Sequence, residues 1–520
     1  MSTFAPLRLR WFRWLFGVGT VSYLATWMQS VGATWLMASL TASPLWVGLV
    51  STAISLPMFV LGLPAGVLAD LADRRLLMIA TQATMLGAML LLAGTLWLDV
   101  LTPTLLLLLT LLLGIAAAMH APAWNATLGE AVPHAQMQQA LTLNGMAFNG
   151  ARSVGPAMAG ALIAALGTAW VFALNALAYA FVIAVLARWR PAPQASHLPP
   201  ERLWGGVMSA VRYYRHAENL PGYLLRLGWF VLAGASLLTL LPLVAQRLDL
   251  GAEGFGLLMG AFGVGGVVGA LALQRIRAVV GSDRYLGLAT LLFAAVLASA
   301  AFVEQAWLLM VMLFLGGSVW VNSIIEIFAA MSTSVPQWIR GRTAAFHLLT
   351  TQGAVAAGGV LWGGLANLFG VSAALAIAAV LMLASLSVAR RMPIRMGQEL
   401  DMLPGRVVEL PQAIEQPEPG AGPVAVEVVY RVDPRRQAEF MKAAQALGIV
   451  RRRNGASVWR LYRDLSESDR MMERFLVASW VDYERQRARW TMADERVEEQ
   501  VRSFQQPGEP VRSAHYIAER

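Results

Sequence analysis

The 520-residue chain contains no cysteine, and among its 40 basic residues only Lys442 is a lysine. Without cysteine there are no disulfides, no thiol nucleophile and no thiolate metal site. Charge is also scarce. Charged residues make up 14% of the chain, against roughly a quarter in a soluble domain, while 57% is hydrophobic. Neither a constellation of nucleophile and base nor a redox-cofactor motif is visible. The expectation is therefore no catalytic residue, no metal site and no cofactor.

Long apolar runs are abundant. Stretches of about 20 residues recur from Trp11 to Ala389, each long enough to cross a bilayer core. Twelve spans are expected, at 12–38, 44–69, 76–98, 101–121, 138–166, 168–187, 222–246, 254–274, 285–303, 306–330, 343–369 and 371–389. The first has no cleavage-like signal and is expected to be retained. With this assignment one side of the membrane carries nineteen arginines, including Arg8, Arg74, Arg75, Arg188, Arg277 and Arg390, and the other carries Arg247. By the positive-inside rule both termini are cytoplasmic in a bacterial inner membrane. The net charge of +9 is then mostly a topology signal, with no nucleic-acid partner implied.

Residues 132–167 and 335–370 align without a gap at an offset of 203. Val132, Pro133, Gly150, Ala151, Gly155, Gly160, Leu162 and Gly167 recur as Val335, Pro336, Gly353, Ala354, Gly358, Gly363, Leu365 and Gly370. Such a repeat in a hydrophobic chain indicates two halves, and in membranes two related halves point to alternating access around a central site. The expected fold is an all-α membrane protein of two six-helix halves, 1–190 and 222–392. A connector at 191–221 begins proline-rich and continues as an amphipathic helix over Glu201–Ala217. A linker at 393–423 leads to a charged segment, 424–520. Its alternation and periodicity predict β-α-β-β-α-β, a ferredoxin-like cytoplasmic α+β domain with one long second helix, Asp482–Phe504. This domain is a candidate for homodimerisation through its sheet.

Polar residues inside the spans are the candidate site. Arg152 lies near the middle of span five, where a charge is costly and should face a wet cavity or a partner. Asn149 shares its face one turn earlier. The second repeat copy has Val355 and Gln352 at the equivalent positions, so the symmetry breaks where charge is placed. Glu326, in the cytoplasmic half of span ten with Asn322 one turn before it, is the candidate proton carrier, since a buried carboxylate takes a raised pKa. A structural partnership with Arg152 is the alternative. Gln29 in span one is a candidate cavity residue. His120 and His347, in spans four and eleven, are weaker candidates.

The loop after span two reads Gly66-Val-Leu-Ala-Asp70-Leu-Ala-Asp73-Arg74-Arg75. It resembles the loop signature of the major facilitator superfamily, Gly-x-x-x-Asp followed by Arg and a basic pair, with Leu71 and Asp73 as departures. Gly66 would permit close helix approach, and Asp70 with Arg74 could latch one conformation. Gly155-Pro156-Ala-Met-Ala-Gly160 resembles the Gly-Pro-x-x-x-Gly element of the same superfamily, for helix packing or gating. Together with LTASPLWVGLVSTAISLPMFVLGLPAGVLAD, PAWNATLGEAVP, NGARSVGP and FALNALAYAF, residues 10–395 resemble the subgroup containing the enterobactin exporter and the transmembrane secretion effectors. RRRNGASVWRLYRD and ERFLVASWVDYERQRARWTMADERV are similar to small domains of the antibiotic-biosynthesis monooxygenase type, with Tyr483 and Arg487 where a histidine-bearing segment is expected.

The resemblance implies a central cavity and efflux of a small amphipathic molecule, such as a siderophore, drug or metabolite, by proton antiport. The superfamily's arginine early in span four is missing from Thr104–Thr110, so coupling would fall to other residues such as Glu326. The other readings are an importer or facilitator of a metabolite, and a transporter fused to a small-molecule-modifying enzyme.

Overall fold

The computed structural model describes residues 4–189, 203–217, 219–397, 399–403, 405, 417–418 and 420–518. The proline-rich start of the connector and most of the linker lie outside these residues, as does the side chain of Asp70. The first half comprises α1 (Arg10–Leu40), α2 (Pro44–Leu71), α3 (Arg74–Trp97), α4 (Pro103–Glu130), α5 (Met137–Leu166) and α6 (Thr168–Arg188). A connector helix follows, α7 (Leu203–His216). The second half comprises α8 (Leu220–Arg247), α9 (Gly251–Val280), α10 (Ser282–Phe302), α11 (Ala306–Thr333), α12 (Gln337–Phe369) and α13 (Val371–Arg391).

Helix ends follow from local chemistry. Pro44 and Pro103 open α2 and α4 at positions that need no N–H donor. Asp73 caps α3 by accepting from the Leu76 N–H at 3.1 Å. Gly167 and Gly370, equivalent in the repeat, have φ of +88° and +86° where α5 passes into α6 and α12 into α13. Only glycine takes that conformation without strain, which accounts for one of the shared glycines.

Among the described residues, ten helices are long and apolar enough to cross a membrane. α1 and α5 are not among them, although they run for 31 and 30 residues. These two carry Gln29, Asn149 and Arg152.

Small residues bring the halves together. A Cβ on Gly160 of α5 would lie 2.1 Å from Gly256 Cα of α9. A Cβ on Gly48 of α2 would lie 2.1 Å from the Gly359 carbonyl and 2.9 Å from Gly363 Cα, both of α12. Gly160 and Gly363 are repeat equivalents, so the two seams are related by the internal symmetry. Hydrogen bonds reinforce them: Thr52 Oγ1 to the Ala356 carbonyl at 2.8 Å, Gln246 Nε2 to the Ala38 carbonyl at 2.8 Å, and Ser43 Oγ to Asn367 Oδ1 at 3.0 Å. Trp35 stacks on Phe255 at 5.1 Å between centroids. All these contacts lie toward the end of the bundle that holds the α1–α2 turn.

The C-terminal segment forms β1 (Val424–Arg431), α14 (Gln437–Asn454), β2 (Val458–Arg463), β3 (Arg470–Val477), α15 (Trp480–Ala488), α16 (Met492–Arg502) and β4 (Arg512–Ile517). The four strands make an antiparallel sheet in the order β2-β3-β1-β4. Alternate residues Val424, Val426, Val428 and Tyr430 turn inward to Phe440, Ala444 and Leu447 of α14 and to Trp459 and Phe475. Each such large apolar side chain contributes about 1.5–3 kcal/mol on burial. The single helix expected over Asp482–Phe504 is two. It breaks at Trp490, and Thr491 starts α16 with a reciprocal capping box to Asp494.

Contacts divide the chain into two compact units. One holds 1–197, 225–327 and 347–393; the other holds 198–224, 328–346 and 394–520. The connector helix and the α11–α12 turn thus group with the sheet. Within that unit Tyr213 packs edge-on to Trp338, and Tyr214 lies against Phe346. Arg453 covers Tyr213, and Arg489 covers Trp338 at 4.3 Å.

Candidate transport site

In α5 the Arg152 guanidinium has Nε and Nη2 buried without a hydrogen-bond partner. A guanidinium brings five donors, and leaving them unmet away from water is costly. Its electrostatic neighbour is His347 of α12, whose Nε2 lies 3.2 Å from the Ile324 carbonyl. His347 is the repeat equivalent of Asn144, so both copies carry a polar residue there. Asn149 donates back to the Gly145 carbonyl at 2.9 Å and so binds along its own helix. Gln29 is buried in α1.

Glu326 is 1% exposed in α11, and its Oε2 sits 3.4 Å from Arg277 Nη1 of α9. Its other oxygen, Oε1, is buried without a partner. The ion partner is thus Arg277, within the second half, and not Arg152. Asn322 is fully buried, donates to the Ser318 carbonyl at 2.7 Å and leaves its own Oδ1 unmet. It packs at the α9–α11 seam, where a Cβ on Gly269 would meet its Nδ2 at 2.6 Å. Glu326, Asn322 and Arg277 form one cluster; Arg152 belongs to another.

The α2–α3 loop holds its arginines on backbone carbonyls. Arg74 Nε donates to Ala69 at 2.9 Å, and Arg75 donates to Leu186 at 2.9 Å and to Ala187. Arg75 thereby ties the loop to the end of α6. Gly66 has open space where a Cβ would stand, so close helix approach is not its role in this conformation. Gly155 does give close approach: a Cβ there would lie 2.7 Å from Trp27 Cβ of α1. Pro156 lies inside α5, between that contact and the Gly160 seam.

Sequence reasoning missed a polar network in the first half. Gln82 of α3 is fully buried and donates to Ser22 Oγ at 3.3 Å. His120 lies 3.2 Å from Thr81 Oγ1 and 3.4 Å from Gln82 Nε2, and stacks on Trp124. Asn144 Oδ1 accepts from Tyr23 and from Trp124. The available signal was a glutamine in an apolar span, as at Gln29.

The family described as transmembrane secretion effector matches residues 1–520. The chain belongs to that family of membrane transporters. It is similar to the staphyloferrin A transporter of Staphylococcus aureus (strain NCTC 8325 / PS 47), 23% identical over 364 residues, 69% of this chain and 90% of the relative. It is 32% identical over 187 residues to YfiS of Bacillus subtilis (strain 168), an uncharacterized MFS-type transporter, covering 35% of this chain and 43% of that one. Among solved structures, the nucleoside transporter NupG superposes with a TM-score of 0.57 at 13% identity, over 73% of this chain and 99% of NupG. A bacterial homologue of the lysosomal transporter Spinster gives 0.52 at 14% identity, over 75% and 96%. At such identity these likenesses establish the major-facilitator fold of the helical part, and not a substrate.

Proposed function

We propose that this transporter is a secondary active exporter that moves a small amphipathic molecule across the bacterial inner membrane by alternating access. The observation that carries the reading is the pair of symmetry-related seams, α5 on α9 and α2 on α12, at one end of the bundle. Twelve spans with both termini cytoplasmic put that end outside, so the conformation is closed to the exterior. Rocking of one half on the other would open it. Arg152, unpaired where the repeat breaks, is the substrate contact, with Asn149, Gln29 and Asn322 as further cavity residues. The staphyloferrin A transporter supports a siderophore as the first substrate to try. Glu326 is the proton carrier, since its release from Arg277 would be a charge change at a helix seam. The latch is assigned to Asp70 with Asp73, Arg74 and Arg75, and residues 424–520 to a ferredoxin-like domain whose exposed edges could pair in a homodimer.

The test is transport into inside-out vesicles under an imposed pH gradient, with staphyloferrin A as the first substrate. Arg152→Ala should remove uptake with and without the gradient. Glu326→Gln should remove only the gradient-driven part. Gradient-driven transport at the wild-type rate in both variants would defeat the residue assignments. The natural lack of cysteine makes topology direct to read. An impermeant maleimide should label Val100→Cys on whole cells, and Leu465→Cys only after permeabilisation.

A further inference from the structure

The sheet domain holds a cavity of about 280 Å³, between one face of the sheet and the helices α14, α15 and α16. Protein interiors are close-packed and carry few voids larger than a water, so this space is unusual in so small a domain. It approaches the size of ligand pockets, roughly 300–1,000 Å³. Val426, Val428, Phe475, Trp490 and Val511 give it an apolar wall. Arg451, Arg487, Arg502 and Glu498 are the charged residues on the lining.

These charged groups are engaged with protein partners. Arg451 is held by Glu473 at 3.2 Å and Glu498 at 3.4 Å, and Glu498 also takes Arg502 at 3.1 Å. Arg487 Nη1 donates to the Tyr483 hydroxyl at 3.1 Å, and that hydroxyl lies 2.7 Å from His515 Nε2. With its oxygen accepting from Arg487, Tyr483 donates its proton to His515, so the neutral ring carries its own proton on Nδ1. An ion entering the cavity would have to draw one of these groups from its partner. Neutral groups on the lining do have bonding capacity to spare. Gln486 is 2% exposed. Its Nε2 donates to the Arg451 carbonyl at 3.1 Å, which fixes the orientation of the amide. Its Oε1 accepts from no donor among the described residues. His515 Nδ1 and Trp490 Nε1 are likewise without an acceptor among the described residues. The lining thus combines an apolar wall with a buried acceptor and two ring N–H donors.

We infer that this cavity binds a small neutral molecule with a compact apolar body and a polar end that both donates and accepts, of the carboxamide or phenol type. The ligand's N–H or O–H meets Gln486 Oε1. Its oxygen accepts from a ring N–H of His515 or Trp490. Its body lies against Val426, Val428 and Phe475. The residues that line the cavity all belong to the sheet domain, so the site is separate from the proposed transport path.

The probes are benzamide, acetophenone and benzoate. Acetophenone keeps the shape and the carbonyl of benzamide but lacks its N–H, and benzoate brings a charge. Ligand-observed NMR titration of the full chain in detergent, against a micelle blank, gives the three affinities. Benzamide should bind at least about fivefold tighter than acetophenone, which leaves the Gln486 acceptor unmet. Benzoate should bind at least about tenfold more weakly than benzamide, because its charge must be desolvated without a partner waiting for it. Gln486→Leu should bring benzamide down to the level of acetophenone and leave acetophenone unchanged. Equal affinity for benzamide and acetophenone, or saturable binding of neither, would overturn the inference. So would benzoate binding as tightly as benzamide. Benzamide affinity unchanged in Gln486→Leu would place the ligand elsewhere in the molecule and overturn it too. If Gln486→Leu does not fold, the order of the three probes on the wild type decides alone.

Discussion

Two arginines with buried guanidinium nitrogens, Arg152 in the helical bundle and Arg451 in the sheet domain, meet opposite treatment. Arg451 has Glu473 and Glu498 as carboxylate partners, and Phe475 and Trp490 flank its guanidinium at 4.9 Å. Those carboxylates hold its pKa above the ordinary arginine value against the opposing effect of burial. Glu473 is satisfied in turn, accepting from Trp459 at 2.9 Å and Tyr430 at 3.2 Å. Arg152 has two buried nitrogens with no acceptor. A closed set of bonds is what a fold needs to bury charge. An open set is a cost, and under the proposed function Arg152 is the group that the substrate would meet.

Breaking the closed set should have the largest effect. Glu473→Ala leaves Arg451, Trp459 and Tyr430 without their shared acceptor, and such a loss costs about 3–5 kcal/mol. Protease digestion of the full chain should then cut within residues 424–518 while the helical bundle stays intact. A sheet domain as resistant as the wild type would mean that Glu498 alone satisfies Arg451.

The converse change should do little to stability and much to function. Arg152→Met removes unmet donors from α5, so the thermal midpoint of the bundle should stay level or rise. Transport should fall at least about tenfold, a loss of about 1.4 kcal/mol of binding. A large drop in the thermal midpoint would show that Arg152 has structural partners after all, and would erase the contrast with Arg451.

Between these lies the seam. Gly160→Val places a side chain where a Cβ would stand 2.1 Å from Gly256 Cα, so α5 and α9 must separate. The closed end should loosen. In a Thr52→Cys background, an impermeant maleimide should react several-fold faster when Gly160→Val is added. Unchanged labelling would mean the α2–α12 seam holds without its partner.

Much of this was legible from residue pattern, and the failures have physical causes. Apolar run length located the helices, and two-residue alternation located β1 and β3. The repeat located the seam glycines, Gly160 and Gly363, and the junction glycines, Gly167 and Gly370. The break between α15 and α16 was missed because 482–504 keeps a helical pattern throughout. The signal was Thr491 three residues before Asp494, a capping box read as helix interior. The partner of Glu326 was not legible. Arg277 lies on another helix, and hydropathy does not say which face of a span meets which neighbour. The pairing of Gln82 with His120 was hidden for the same reason: their bond at 3.4 Å joins α3 to α4. α1 and α5 fall short on apolarity, and they are the helices that carry Gln29, Asn149 and Arg152.

The smallest expected effect concerns His515, whose Nε2 lies 2.7 Å from the Tyr483 hydroxyl. Its folded-state pKa is below the ordinary 6.5, through burial first and Arg487 second. The unfolded chain therefore binds the proton more readily than the folded one. Above pH 6.5 the group costs the fold nothing. As pH falls through 6.5 toward the folded value the domain loses stability, and below that value the penalty is complete. Half-burial keeps the effect modest. His515→Asn keeps an acceptor for Tyr483 and cannot be protonated in this range. Thermal scans of both full chains at pH 7.5 and 5.0 should show a larger drop in the wild type. An equal drop would assign the acid sensitivity to the carboxylates around Arg451, and return the comparison to the charges that are already paired.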